Sequence, residues 1–409
     1  MRNDVGMTDA TEETKPEETT PVVIVTRPKR VRRGSPWVFS NEIEMSAATK
    51  AIPPGTMVRL QEQSGKPVGA AFFNPHSLIA ARVIADDPKQ LFDMAYVAAR
   101  LTSACALRDG LYAAPFYRLI HAEADGLPGV IVDRYGDVVV CQLNTAGAER
   151  HRRVITDALA EVLSPSAIVL KNDSPVRDLE RLNRYEEVIG TLPDAAMEIQ
   201  ENDATFLAPI GSGQKTGWFY DQRDNRAFVA SLAKDARVLD LYCYLGGFGI
   251  LAAKSGAKSV LGVDRSEAAL AMARETAVRN GVGDICTFEE ATLPGVLETL
   301  AAGGDQFDVV VCDPPAFVKS RKNLAVGLKG YRKLFKLSAE RVAPGGFLFA
   351  ASCSHLVERD VFEDEVAHAL ALAGRKGRVL RVSEAAADHP AHPMLPQSRY
   401  LKAMVLQLD

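Results

Sequence analysis

Residues 238–264 read VLDLYCYLGGFGILAAKSGAKSVLGVD, and the reading of this stretch decides the fold. Val238 to Leu241 is a short apolar run with the character of a buried parallel strand. A turn carrying Gly246, Gly247 and Gly249 follows. A small-residue helix over 250–255 comes next, closed by Gly256. A second apolar strand, Val260 to Val263, ends on Asp264. This is a β-α-β unit. Glycines let a backbone approach a ligand closely, and the helix N-terminus beside them offers N–H groups. An acid about 20 residues beyond such a turn is placed to accept ribose hydroxyls. Asp264 lies 18 residues after Gly246.

NAD, FAD and S-adenosylmethionine all suit that geometry. The glycine spacing is not G-x-G-x-x-G, so the dinucleotide fingerprint is missing. Asp240 stands six residues before the first glycine, where a carboxylate can meet a cationic amino-acid end. Both features favour S-adenosylmethionine, with Asp240, Tyr242, Gly246, Gly247 and Asp264 as candidate cofactor residues. The competing reading is a plain α/β unit with an idle glycine turn.

Downstream, apolar strands are expected at 259–263, 285–288, 308–312, 346–351, 378–383 and 400–407. Helices are expected at 248–255, 267–280, 294–302, 330–341 and 359–373. Such alternation predicts a doubly wound sheet. No helix separates the last two strands, so they should form an antiparallel pair at one edge. A seven-stranded sheet of that kind is the methyltransferase variant of the Rossmann plan.

Upstream, the 409 residues leave room for two further units. Residues 1–20 carry six acids and two bases and should be a disordered acidic tail. That tail alone accounts for the net charge of −4, so the rest is neutral and any nucleic-acid contact must be local. Arg27, Lys29, Arg30, Arg32 and Arg33 put five bases within seven residues, near Trp37 and Phe39. Such a cluster suits phosphates plus base stacking. A solvated basic loop is the alternative, with Trp37 itself read as core. Residues 21–88 read as a small β-barrel. Residues 89–208 read as a linking helix over 88–108 and a central α+β unit. That unit should hold a hairpin at 130–143, a helix at 147–163 and strands at 167–170 and 202–208. The methyltransferase-like unit would occupy 209–409. Six scattered cysteines lack metal spacing, and no apolar run reaches membrane length. Reduced thiols in a cytoplasmic protein without a metal are the natural reading.

Two further motifs carry chemistry. Asp313-Pro314-Pro315-Ala316-Phe317 should close the fourth strand at the ligand edge of the sheet. Its prolines stiffen the loop. Asp313 can then bond the polar edge of a base and Phe317 can stack on it. Ser352-Cys353-Ser354 should close the fifth strand beside that loop. Cys353 can act as a nucleophile there if its surroundings favour the thiolate. A thiolate adding at cytosine C6 makes C5 reactive enough to accept a methyl group. The other five cysteines read as small buried hydrophobes. Gln222 and Arg223, ahead of the first strand, can reach a cofactor carboxylate, although taken alone an amphipathic helix with surface charges is the better explanation.

Taken together, these segments resemble the RlmI-type family of 23S ribosomal RNA (cytosine-5)-methyltransferases. The resemblance runs from about Val22 to the C-terminus. It includes SPWVFS at 35–40, ADGLPGVIVDRYG at 124–136, KTGWFYDQRDNR at 215–226, LYCYLGGF at 241–248, DPPAF at 313–317, SCS at 352–354, ADHP at 387–390 and RYLK at 399–402. It implies an N-terminal RNA-binding PUA domain, a small central α/β domain and a C-terminal class I methyltransferase domain. It implies Cys353 as nucleophile with Asp313 beside it, Asp264 on the ribose, and Gln222 and Arg223 flanking S-adenosylmethionine. Glu290 stands where many such enzymes read adenine with aspartate. The Asp-Pro-Pro loop lacks the cysteine that some RNA cytosine-5 methyltransferases use for product release. The implied partner is 23S ribosomal RNA or a large-subunit assembly intermediate, with a homodimer left open. Two other readings stay open: a methyltransferase acting on a base amine or guanine ring nitrogen, and a non-catalytic RNA-binding assembly factor.

Overall fold

The computed structural model describes residues 20–193, 196–210 and 217–409. Residues 1–19 of the expected acidic tail, and 211–216 of the glycine loop, lie outside that range.

The N-terminal unit is built from β1 (Val22–Val25), β2 (Trp37–Val38), the one-turn helix α1 (Ala47–Lys50), β3 (Thr56–Glu62), β4 (Pro67–Phe73) and β5 (Ala81–Ala85). Its sheet order is β1-β3-β4-β5-β2, with β1 parallel to β3. Inward Val23, Val25, Val58, Leu60 and Phe73 make its core. Trp37 is half-buried at a seam, not central to that core. Its Nε1 donates to Glu123 at 2.7 Å, and Arg82 lies 5.4 Å over its ring.

Next come α2 (Met94–Leu111), β6 (Phe116–His121), β7 (Val130–Tyr135), β8 (Val138–Leu143), α3 (Ala146–Arg150), α4 (Arg152–Leu163), β9 (Ala167–Asn172) and β10 (Tyr185–Gly190). The second sheet runs β10-β9-β8-β7-β6, antiparallel except for β8 with β9. The linking helix starts at Met94 rather than Pro88 because Asp93 caps it, accepting from the Tyr96 N–H at 2.9 Å. The helix expected over 147–163 is broken at His151, whose φ of −101° and ψ of 21° leave the helical region. β11 (Met197–Glu201) and β12 (Ala204–Ala208) form a hairpin. Asn202 and Asp203, both at positive φ, make its two-residue turn.

The C-terminal unit contains α5 (Arg223–Ser231), β13 (Arg237–Leu241), α6 (Gly247–Lys254), β14 (Ser259–Asp264), α7 (Glu267–Arg279), β15 (Cys286–Glu290), α8 (Leu293–Ala302), β16 (Phe307–Cys312), α9 (Leu324–Ala339), β17 (Val342–Ser352), α10 (Arg359–Leu372), β18 (Gly377–Ser383) and β19 (Lys402–Leu408). The seven strands run β15-β14-β13-β16-β17-β19-β18. Strand β19 is antiparallel to both neighbours, as the missing helix between the last two strands implies. Helices cover both faces, so β16 can be apolar on both sides. One face packs Leu297, Tyr331, Phe335 and Phe362, and the other Val229, Phe248 and Phe349. Chain order reverses between β13 and β16, which opens a crevice at their carboxyl ends.

The central and C-terminal units share a core in which Tyr135 and Val138 meet Phe206, Trp218 and Leu270. Polar groups fasten the same seam. Buried Arg108 binds Asp125 through both terminal nitrogens, at 2.7 and 2.8 Å, and reaches the Asp388 carbonyl at 3.0 Å. The Asp388 carboxylate in turn accepts from the Arg118 N–H at 3.0 Å. The ADHP stretch is therefore a strap between units.

Candidate active site

A cavity of about 470 Å³ lies at the switch point, with Tyr242, Asp264, Asp313 and Cys353 among its lining residues. Each of the four sits at or just beyond the carboxyl end of a different strand: β13, β14, β16 and β17.

One wall is acidic. The chain leaving β13 turns sharply, with Tyr242 at φ 62°, Tyr244 at φ 50° and Gly246 at φ 76°. A Cβ on Gly246 would sit 2.8 Å from Ile250 Cδ1, so both conformation and space demand glycine there. The turn aims its N–H groups at β14. Tyr244 N donates to one oxygen of Asp264, and Ser266 N to the other, each at 3.0 Å. Behind the turn, buried Asp240 accepts from Gly249 N at 2.9 Å. Burial pushes the Asp240 carboxyl up to about 7; Gly249 opposes the shift, and nearby Asp313 and Asp264 add to it. Asp240 and Asp264 thus gather at this wall with Asp313 of the facing wall near them; Arg226 offsets part of their repulsion, and a cation bound there would relieve more of it.

The other wall carries the thiol. Asp313 is held by Gln222, whose amide donates to its carboxylate at 2.8 Å. Gln222 is oriented by Asn225 at 2.6 Å, and Asn225 by Ser383 at 2.6 Å. Cys353 lies where β17 ends, beside the Asp313 loop. Its neighbour Ser354 is fixed by Tyr331, hydroxyl to hydroxyl at 2.8 Å, and by the Val318 N–H at 3.3 Å. Lys402, opposite Ser352 in the sheet, is buried and donates from Nζ to the Ser354 carbonyl at 2.7 Å. Burial pulls the Lys402 ammonium down to about 8, while its attraction to Cys353 opposes that shift. Tyr400 and Asp221, joined at 2.5 Å, complete this side of the lining.

The structure brings Gln222, Tyr242, Gly247, Asp264, Asp313 and Cys353 to one cavity. It does not bring every expected residue there. Arg223 lies at the seam, 4.1 Å over the Tyr112 ring and bonded to the Phe116 carbonyl. Arg226 lines the cavity in its place. The reason is helical geometry: residues 222 and 226 lie one turn apart on the same face, whereas 223 points about 100° away. Asp240 and Gly246 stand behind the lining and shape the turn. Glu290 is exposed outside the cavity, and Ala291, Thr292 and Leu293 line it. Phe317 is stacked on Tyr331, with ring centres 4.7 Å apart, and does not face the cavity. In the N-terminal cluster Arg27, Lys29 and Arg33 are exposed. Arg32 is paired with Glu62 through two hydrogen bonds, and Arg30 lies 4.8 Å over the Phe39 ring.

Residues 176–407 match a family described as S-adenosylmethionine-dependent methyltransferase, and residues 25–86 match the PUA-like domain. A protein of Aeromonas hydrophila named ribosomal RNA large subunit methyltransferase I is 39% identical over 93% of this chain and 97% of its own. The chain belongs to the ribosomal RNA large subunit methyltransferase I family. A relative of the same name from Shewanella denitrificans is 36% identical over the same shares of both chains. Among solved structures, a Streptococcus mutans protein described as a candidate SAM-dependent methyltransferase aligns with a TM-score of 0.80 at 20% identity. A second, complexed with SAH, aligns at 0.81 and 19%. Each alignment covers 95% of this chain and all of the other, and shares the fold.

The cofactor of this methyltransferase family is S-adenosylmethionine, and the cavity suits it. Its volume falls in the range of small-ligand sites. Its crowded carboxyl groups complement a sulfonium and an ammonium. Asp264 offers carboxylate oxygens at the cavity wall, and Gly247 keeps the first turn of α6 free of a side chain. Arg226, Tyr400, Lys402 and Asn225 were not singled out as site residues from the sequence. Helical spacing from Gln222 marks Arg226. The RYLK segment contains Tyr400 and Lys402, but only the antiparallel placement of β19 reveals their nearness to Cys353.

Proposed function

We propose that the chain methylates C5 of a cytosine in large-subunit ribosomal RNA, with Cys353 as nucleophile. The observation that carries this reading is the shared cavity of Cys353, Asp313 and Asp264. A thiol at the end of β17, beside a buried ammonium, has no evident task in methylation of a nitrogen. The relatives named for large-subunit ribosomal RNA support the substrate, and the PUA-like segment supports an RNA partner. The site of action is the cytoplasm, where that RNA is assembled. Functionally, residues 21–88 would hold RNA, 89–208 would join the units, and 209–409 would do the chemistry.

Bound in the cavity, S-adenosylmethionine supplies an electrophilic methyl group. Asp264, at the cavity wall, would hold the cofactor's ribose. Asp313, fixed by Gln222, orients the polar edge of a cytosine turned out of its stack. The Cys353 thiolate adds to C6 and makes C5 nucleophilic. C5 would then take the methyl group, leaving S-adenosylhomocysteine, and removal of the C5 proton by a base would expel the thiolate and restore the ring. The Gln222–Asn225–Ser383 chain keeps Asp313 in place without a mobile side chain.

The test uses RNA carrying 5-fluorocytosine. Fluorine at C5 cannot leave as a proton, so the C6–S bond should persist. A protein–RNA band resistant to denaturation, dependent on S-adenosylmethionine and on Cys353, is expected. A product methylated on nitrogen, or no trapped band with active enzyme, overturns the reading.

A further inference from the structure

Between Asp313 and Glu340 the chain contains no acid. Residues 314–339 carry seven bases instead: Lys319, Arg321, Lys322, Lys329, Arg332, Lys333 and Lys336. The whole chain has 52 acids in 409 residues, so a stretch this long should contain about three. Two of the bases are neutralised. Arg332 binds Glu365 with both forks, at 2.6 and 2.7 Å, and Lys336 binds Glu340 at 2.6 Å. Lys319, Arg321, Lys322, Lys329 and Lys333 are exposed and form no ion pair among the described residues.

Their place relates them to the cavity. Pro314, Pro315 and Ala316 line it, and the basic stretch is the continuation of that loop. Helix α9 is seated tightly against the loop: a Cβ on Gly327 would lie 2.4 Å from Val318 Cγ2. That close approach presents the opposite face outward. Val326, Lys329 and Lys333 follow one another at helical spacing and are all exposed, Val326 at 73%.

We propose that this face, formed by residues 319–322 and the outer side of α9, carries the phosphodiester backbone of the RNA strand that delivers the target base. The proposal rests on the RNA reading above and adds a second contact surface, separate from residues 27–33. Five uncompensated cations beside a cavity mouth have a Coulomb cost that phosphates remove, with release of counterions. An acidic ligand small enough to enter the cavity would not span them, whereas a strand of several nucleotides would.

The test is binding of a labelled RNA fragment across a salt series, using the full chain. Arg321→Ala, Lys329→Ala and Lys333→Ala are combined, and a Lys329→Arg, Lys333→Arg protein serves as the charge-preserving control. Loss of three phosphate contacts should flatten the slope of log affinity against log salt by about two. S-adenosylmethionine affinity should be unchanged, KM for RNA should rise and kcat at saturating RNA should hold. The arginine control should behave like the wild type. If the triple variant keeps the wild-type slope, this face does not hold the strand. If the wild type itself binds RNA without salt dependence, the RNA reading fails instead.

Discussion

The two walls of the cavity are built on opposite electrostatic principles. On the β13–β14 side, carboxyl groups are gathered: Asp264 takes two backbone N–H bonds, and burial leaves Asp240 reluctant to ionise. On the β16–β17 side, a thiol stands beside a buried ammonium, Lys402. The first arrangement is an excess of carboxyl groups that Arg226 offsets only in part, and a sulfonium ligand would complete it. The second already holds its cation and favours an anion on sulfur. One wall is thus suited to hold the methyl donor and the other to activate the acceptor. The sheet makes the division possible, because the reversal of strand order places the two pairs of strand ends on either side of one crevice.

The division breaks most sharply at Cys353. Cys353→Ser preserves shape, but a serine hydroxyl is not ionised near neutral pH. Turnover should fall at least roughly a thousandfold, while calorimetric affinity for S-adenosylmethionine stays within about twofold. Retained turnover, or a parallel loss of cofactor binding, would mean that the two walls do not have separate tasks.

Asp264→Ala tests the acidic wall with a smaller effect. It removes charge-assisted hydrogen bonds worth about 1.5–3 kcal/mol, so cofactor affinity should drop at least tenfold. Formation of the RNA complex, measured without cofactor, should not change. Equal cofactor affinity in the variant removes Asp264 from the cofactor site.

Much of this architecture was legible in the sequence because apolar runs and glycine turns are local signals. The strands from 238 to 408 fall within a few residues of expectation, including the antiparallel last pair. The departures share a cause in tertiary contact. Helix α9 begins at Leu324, not 330, because Gly327 and Gly330, poor helix formers in isolation, allow close packing against the Asp313 loop. Phe317 was expected to serve a base, yet Tyr331 from α9 takes its face. Arg223 and Arg226 are equally basic and three residues apart, and only their helical phase assigns one to the seam and the other to the cavity. Lys402 is 49 residues from Cys353 and meets it through β19, which no local pattern specifies.

Lys402 also gives the finest test of the comparison. Lys402→Met keeps the length and the apolar stem but removes the charge. Below pH 8 the wild-type ammonium is protonated and supports a thiolate at Cys353; as pH rises through about 8 it loses that proton and the support fades. Alkylation of Cys353 by iodoacetamide should therefore be slower in the variant at pH 7, and the two proteins should converge above pH 9. The effect should be modest. Losing the ammonium lowers the thiolate fraction, but a more basic thiolate is also more nucleophilic and offsets part of the loss, so the net slowing should be about threefold. The other thiols interfere little: burial pushes Cys141, Cys286 and Cys312 up to about 12 and holds Cys105 and Cys243 above the usual range. Peptide mapping then assigns the fast site. Lys402→Arg should restore the neutral-pH rate if charge is what matters. Identical alkylation profiles in wild type and Lys402→Met would reduce Lys402 to a brace for the Ser354 carbonyl, and the thiol wall would lose its built-in cation.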